Sequence, residues 1–98
     1  MSDLAFEWDG AKAAANLRKH GVSFQEAVSV FSDERGWLLD DPDHSAGEDR
    51  FVLLGLSARL RTLVVVHCYR EAPDTIRLIS ARKATRPERA LYEARWRP

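Results

Sequence analysis

The chain has 98 residues, 45% hydrophobic and 31% charged, and its fifteen basic and fifteen acidic side chains cancel to a net charge of zero. That balance suits one globular domain over residues 1–98 and leaves no room for separate catalytic and substrate domains. No apolar run approaches the ~20 residues of a membrane-spanning helix, and the start, MSDLAFEWDG, lacks a secretion signal, so a cytoplasmic protein without membrane contact is expected.

The zero hides an asymmetry. Residues 1–50 carry eleven acids and five bases, a net charge of −6, whereas residues 51–98 carry ten bases and four acids, a net charge of +6. Such a dipolar chain can meet an anionic polymer with one side and a basic partner with another; equally, the halves can neutralise each other in the fold. Cys68 is the only cysteine. It can form no internal disulfide, and within VVVHCYR it reads as a structural thiol rather than a nucleophile.

The first predicted elements are a short strand and two helices. Asp9 is a good N-cap, helix formers run from Ala11 to Lys19, and Gly21 stands where a left-handed C-cap belongs. Ser23 and Glu26 make an S-x-x-E capping box, Val22 can staple onto Ala27, and Phe24, Ala27, Val28 and Phe31 follow helical spacing. The corner KHGVSF therefore leaves Lys19 and His20 on the first helix's last turn.

From Gly36 the period changes. GWLLDD, RFVLLGL, RTLVVVHCY and DTIRLISA are short runs rich in β-branched and aromatic residues, separated by polar, Pro- or Gly-containing turns, and they predict an antiparallel meander. Thr85, Arg86, Pro87 and Glu88 give another capping box, opening a helix from Arg86 to about Trp96. The fold class is α+β, in the order β-α-α-β-β-β-β-α.

In the strand Thr75–Ala81, strict alternation places Ile76, Leu78 and Ser80 on one face and Arg77, Ile79 and Ala81 on the other. Arg77 and His67 break apolar patterns on adjacent strands, so a sheet face carrying both is a candidate site floor. The alternative is that Arg77 pairs with an acid such as Asp40 and His67 is an ordinary satisfied histidine. Arg82, Lys83, Arg86 and Arg89 surround the last helix's N-terminus, where phosphate is favoured, although such charges also serve solvation and salt bridging. His20, His44, His67 and the acids of DDPDH match no zinc or EF-hand spacing, and no nucleotide-binding or common hydrolase motif is present, so neither metal nor cofactor is expected.

Taken in order, the motifs W-D, N-x-x-K-H-G-V, D-P-x-H and R-x-I-S-A-R-x-A-T-x-x-E-R, spread from about Phe6 to Tyr92, resemble the BrnT family of bacterial toxins from type II toxin–antitoxin modules. The resemblance implies a RelE-like fold, an antiparallel sheet with helices on one side, and a metal-independent endoribonuclease that inhibits translation. It also implies a BrnA antitoxin with a ribbon-helix-helix DNA-binding part, meeting operator DNA on the toxin's behalf in a complex of two toxins and two antitoxins.

Metal-free RNA cleavage needs a base or a positioned 2′-OH, positive charge on the pentavalent phosphate and an acid for the leaving 5′-oxygen. On this reading Arg77 faces the scissile phosphate, His67 or His20 transfers the proton, and Tyr92 is an auxiliary donor or base-stacking platform. Lys19, Arg50, Arg82, Lys83, Arg86 and Arg89 hold RNA backbone. Trp96 either anchors the antitoxin or packs onto the core. The competing function is a non-catalytic module that binds its antitoxin and modulates repression. A direct DNA-binding domain has no helix-turn-helix pattern to support it.

Overall fold

A computed structural model describes residues 4–41, 49–70 and 74–95. His44, most of the D-P-x-H motif and Trp96 lie outside the described residues. The elements are β1 (Ala5–Glu7), α1 (Gly10–His20), α2 (Phe24–Ser29) with a 3₁₀ turn at Val30–Ser32, β2 (Trp37–Asp40), β3 (Phe51–Leu56), β4 (Thr62–Tyr69), β5 (Thr75–Lys83) and α3 (Arg86–Ala94).

Asp9 caps α1 by accepting from the Lys12 N–H, and Gly21 ends it at φ 69°, with its N–H on the Leu17 carbonyl. A side chain at that φ would be strained, which fixes the sharp turn into α2. Ser23 caps α2 through the Glu26 N–H at 3.0 Å. The expected reciprocal half of that box does not form, because the Glu26 carboxylate turns to Arg61. α3 has the full box, with Thr85 and Glu88 bonding each other's backbone N–H.

The strands form one five-stranded sheet in the order β1-β5-β4-β3-β2. β2 to β5 make the expected antiparallel meander, but β1 runs parallel to β5, with Phe6 opposite Ile76 and Glu7 opposite Arg77. The sheet is mixed rather than antiparallel. β1 covers only the start of β5. Further along, the side-chain amide of Asn16 serves the β5 backbone, donating to the Ala81 carbonyl at 2.8 Å and accepting from its N–H at 3.1 Å. The same amide donates to the Val22 carbonyl at 2.9 Å, so this one buried side chain ties the helical corner to the strand.

Register departs from strict alternation at one place. Val66 faces Ser80 but His67 faces Leu78, which leaves Ile79 as a bulge. One extra residue reverses the side-chain faces beyond it. Ala81 therefore joins Ile76 and Leu78 in the core, and Ser80 lies on the face of Arg77, the reverse of the expected assignment.

On the first face of the sheet, Val22, Phe24, Ala27 and Val30 pack onto Leu53, Leu63, Val65, Ile76, Leu78 and Ala81. Gly55 lets the 3₁₀ turn sit directly on β3, since a Cβ there would meet Val30 Cγ1 at 2.8 Å and Asp33 Oδ2 at 3.1 Å. On the second face a smaller cluster of Leu54, Val64 and Tyr92 is flanked by Trp37, Val52, Leu56 and Ala84. Tyr92 comes from α3. Helices thus cover both sides of the sheet, unequally, and not one side alone.

Candidate functional site

α3 closes only part of the second face. Beside its N-terminus a groove of about 460 Å³ remains, floored by Val52, Val64, Val66 and the β5 bulge and rimmed by Arg50, Arg82, Asp40, Asp41 and Glu88. Arg82 reaches the rim because the bulge turns it to this face. Its guanidinium makes two parallel bonds to Glu88, at 2.8 and 2.9 Å. Arg82 holds the Glu88 carboxyl down to about 2, against the opposing effect of burial, and Glu88 raises Arg82 in return. Because Glu88 also accepts from the Thr85 N–H at 2.8 Å, this pair welds the strand exit to the start of α3.

Arg77 lies on the same face. It is half-buried and donates to Glu7 on β1 at 3.0 Å, with Arg70 Nε 3.9 Å from the other oxygen of that carboxylate. Its partner is therefore an acid, as the alternative reading had it, but Glu7 rather than Asp40. Arg86 and Arg89 are exposed on α3, and Lys83 is exposed at the end of β5 opposite Leu63. Lys19 and half-buried His20 end α1, which packs on the first face. Of the basic residues singled out in the sequence, Arg50 and Arg82 share the groove, Arg77 shares its face, and the others are dispersed around the molecule.

His67 and Tyr92 stand differently from expectation. The bulge and the register place His67 on the core face, away from Arg77, and it is fully buried. Its ring meets Phe31 edge-on at 4.9 Å, and Nδ1 lies 3.2 Å from the Val65 carbonyl. Burial pushes its pKa down, only partly opposed by that hydrogen bond, and Nε2 has no hydrogen-bond partner. A neutral imidazole walled in by rings cannot reach an external phosphate. Tyr92 is 1% exposed, so it offers no surface for a stacked base. Its hydroxyl donates to Asp33 Oδ2, the oxygen that also accepts the Leu56 N–H at 2.8 Å. Burial raises Asp33, but the bonds from Tyr92 and from the Leu56 and Arg35 N–H groups outweigh it and hold the carboxyl below its ordinary value.

Two features escaped the sequence reading. Glu26, 7% exposed, accepts from Arg61 Nε at 2.9 Å and from Ser57 Oγ at 2.7 Å. Its pKa is lowered chiefly by Arg61, against burial. Nothing local to Glu26 signals a partner 35 positions away. The other is Tyr69, 51% exposed at the end of β4. Alternation along that strand does place it with His67, so its side of the sheet was legible. Cys68 is buried. Among the described residues no three His, Cys, Asp or Glu side chains come together as a metal-binding group, and no helix is long and apolar enough to cross a membrane.

The architecture has a solved counterpart. The 1.1 Å crystal structure of the Brucella abortus ribonuclease toxin BrnT superposes with a TM-score of 0.62 at 24% identity, covering 85% of this chain and 99% of that one. That likeness establishes the fold. No curated protein sequence matches. The family described as "Ribonuclease toxin, BrnT, of type II toxin-antitoxin system" matches residues 8–88, from Trp8 through the groove-rim Glu88 and most of the ladder between. With that span and that fold, the chain belongs to the BrnT family of ribonuclease toxins of type II toxin–antitoxin systems.

Proposed function

We propose that the chain is a metal-independent endoribonuclease that cuts RNA to inhibit translation and is held in check by a BrnA-type ribbon-helix-helix antitoxin. The observation carrying this reading is the partly open second face, where Arg50 and Arg82 rim a groove and Arg77 continues the basic line. A phosphate passing to its pentavalent state gains charge, and fixed guanidinium groups stabilise that charge more than the ground state. Arg77 is the candidate for the scissile phosphate, since the Glu7 contact holds its side chain in one place before RNA arrives. Of the two histidines only His20 keeps solvent access, but it ends α1 on the first face, away from Arg77, so neither histidine is assigned to proton transfer at that phosphate. His67 and Tyr92 support the fold. Arg50, Arg82, Lys83, Arg86, Arg89 and Lys19 are the candidate contacts to RNA backbone. The fold is read as RelE-like, and the complex as two toxins joined through two antitoxins in the cytoplasm, with operator DNA bound by the antitoxin.

A second reading has its own observation. Arg77 and Arg82 are each paired with a carboxylate, and His67 and Tyr92 are buried, an arrangement that also suits a non-catalytic module binding its antitoxin. Expression of the chain alone separates them. Growth arrest, relieved by Arg77→Ala and by co-expressed antitoxin, is the expected result. Unimpaired growth with a folded chain that still binds antitoxin supports the module.

A further inference from the structure

Neither histidine serves the phosphate at Arg77, so the proton step of the proposed cleavage needs another group, and the second face supplies one. Glu7 ends β1, and the parallel register sets it opposite Arg77, so the two side chains leave the sheet on the same side. Arg77 Nη1 donates to Glu7 Oε2 at 3.0 Å, and Arg70 Nε lies 3.9 Å from Oε1. The Glu7 side chain keeps 41% of its surface exposed and that of Arg77 32%. A pair so open to water adds little to stability, which leaves its place on the open face to be explained by chemistry.

The carboxylates around the groove are placed differently. Glu88 meets Arg82 through both oxygens and also accepts from the Thr85 N–H, a junction that fixes the start of α3. Asp41 is buried, and Asp40 stands on β2, with β3 and β4 between it and β5. Glu7 is the carboxylate that combines contact with Arg77 and access from solvent.

Geometry then decides what Glu7 can do. Arg77 spends Nη1 on Glu7, and a guanidinium has further N–H donors in the same plane, so it can hold a phosphate while the Glu7 contact persists. In RNA the 2′-hydroxyl stands on the carbon next to the one whose 3′-oxygen bears the phosphate. A carboxylate bonded to the arginine that grips this phosphate is therefore brought within hydrogen-bond reach of the 2′-hydroxyl, the placement a general base requires. Two guanidinium groups around one carboxylate leave the cluster net positive, so it attracts phosphate although it contains an acid.

We infer that Glu7 is the general base of the ribonuclease site, taking the proton of the 2′-hydroxyl while Arg77 holds the scissile phosphate. The 2′-oxygen bonds to phosphorus as its proton passes to the carboxylate, the bond from phosphorus to the 5′-oxygen breaks, and the leaving oxygen takes a proton from water. The hydroxide so formed removes the proton from Glu7. The products are a 2′,3′-cyclic phosphate and a 5′-hydroxyl, with the protein restored. The inference rests on the nuclease reading above and gives it the proton acceptor that neither histidine provides.

The test uses the full-length chain, Glu7→Gln and Glu7→Ala, a labelled RNA with and without ribosomes, and the same RNA carrying 2′-O-methyl groups as a binding probe without a nucleophile. Gln can still accept from Arg77 but is no proton acceptor. Both variants are expected to lower kcat about a hundred- to ten-thousandfold, to bind the methylated RNA at least as tightly as the parent, and to unfold at nearly the parent's temperature. The parent should release 2′,3′-cyclic phosphate ends and leave the methylated RNA intact. Cleavage by the parent with Glu7→Gln equally active removes the base and leaves the nuclease reading standing. Cleavage lost in Glu7→Ala alone, or lost together with RNA binding, also overturns it, since Glu7 would then only position Arg77. So does a parent that cuts the methylated RNA, because water would be the nucleophile. A parent chain that cuts no RNA under either condition removes the nuclease reading and this inference with it.

Discussion

The two faces of the sheet are built for different ends. The first is covered by α1, α2 and the 3₁₀ turn and filled by Val22, Phe24, Ala27, Val30 and the row of rings from Phe6 to Tyr69. Of its buried polar groups, Asn16 is engaged with the backbone and Glu26 with Arg61, while the ring of His67 is held among aromatic side chains with Nε2 unpaired. The second has one short helix, a three-residue buried cluster and a groove rimmed by charge. Burial of apolar area stabilises a domain of this size only narrowly, so concentrating it on one face leaves the other able to carry exposed arginines. The family's chemistry is accordingly sought on the face that contributes less to stability.

Substitutions at the junctions of these faces sharpen the contrast. The largest effect is expected at Tyr92, the anchor of α3. Tyr92→Ala should cost roughly 3–5 kcal/mol, the usual range for deleting a buried aromatic, and Tyr92→Phe about 1–2 kcal/mol through the lost bond to Asp33. Chemical denaturation measures both. If Tyr92→Phe keeps its stability but loses cleavage, the hydroxyl belongs to the chemistry and the division of labour fails.

Next is Arg61. Arg61→Ala leaves the Glu26 carboxylate buried with its main partner gone, a change that costs about 3 kcal/mol where one member of a buried pair is removed. Glu26→Gln in the same background should recover part of it, because the uncompensated charge is then absent. No recovery would mean that packing by the Arg61 stem, not charge, matters there.

The smallest effect is the pH dependence of the first face. His67 is held neutral by burial, so its folded-state pKa lies below the unfolded value near ~6.5. Between the two values the unfolded chain binds more protons, and stability falls as pH drops below ~6.5, by at most about 1.4 kcal/mol per pH unit. Above that range His67 contributes no slope. Glu26, Asp33 and Glu88, all lowered in the fold, add a separate loss that begins only as pH falls below their unfolded values near ~4. Thermal unfolding at pH 7.5, 6.5 and 5.5 should show the first slope in the parent chain and lose it in His67→Phe. An unchanged slope would place the titrating group elsewhere.

Much of the fold was legible because its signals are local. Asp9, Gly21, Ser23 and the Thr85–Glu88 box mark helix ends through neighbours within a few residues, and alternation marks the meander. The parallel pairing of β1 and the Glu26–Arg61 pair depend on partners dozens of positions away and the bulge at Ile79 on its pairing with β4, and that one bulge was enough to exchange the faces of Ser80 and Ala81. The site suffered most from this. Arg77, Arg82 and Arg50 were visible as basic residues on or beside strands, whereas the carboxylate partners of Arg77 and Arg82, the burial of His67 and the engagement of Tyr92 follow only from the assembled sheet.

The most direct test of the account is cleavage of a labelled RNA by the purified chain in EDTA, with and without ribosomes, beside an Arg77→Ala chain whose folding is checked by circular dichroism. The account predicts cleavage by the parent and its loss in the folded variant. Equal cleavage by both would remove Arg77 from the chemistry, and no cleavage by a parent chain that still binds its antitoxin would make the second face a docking surface rather than a nuclease site.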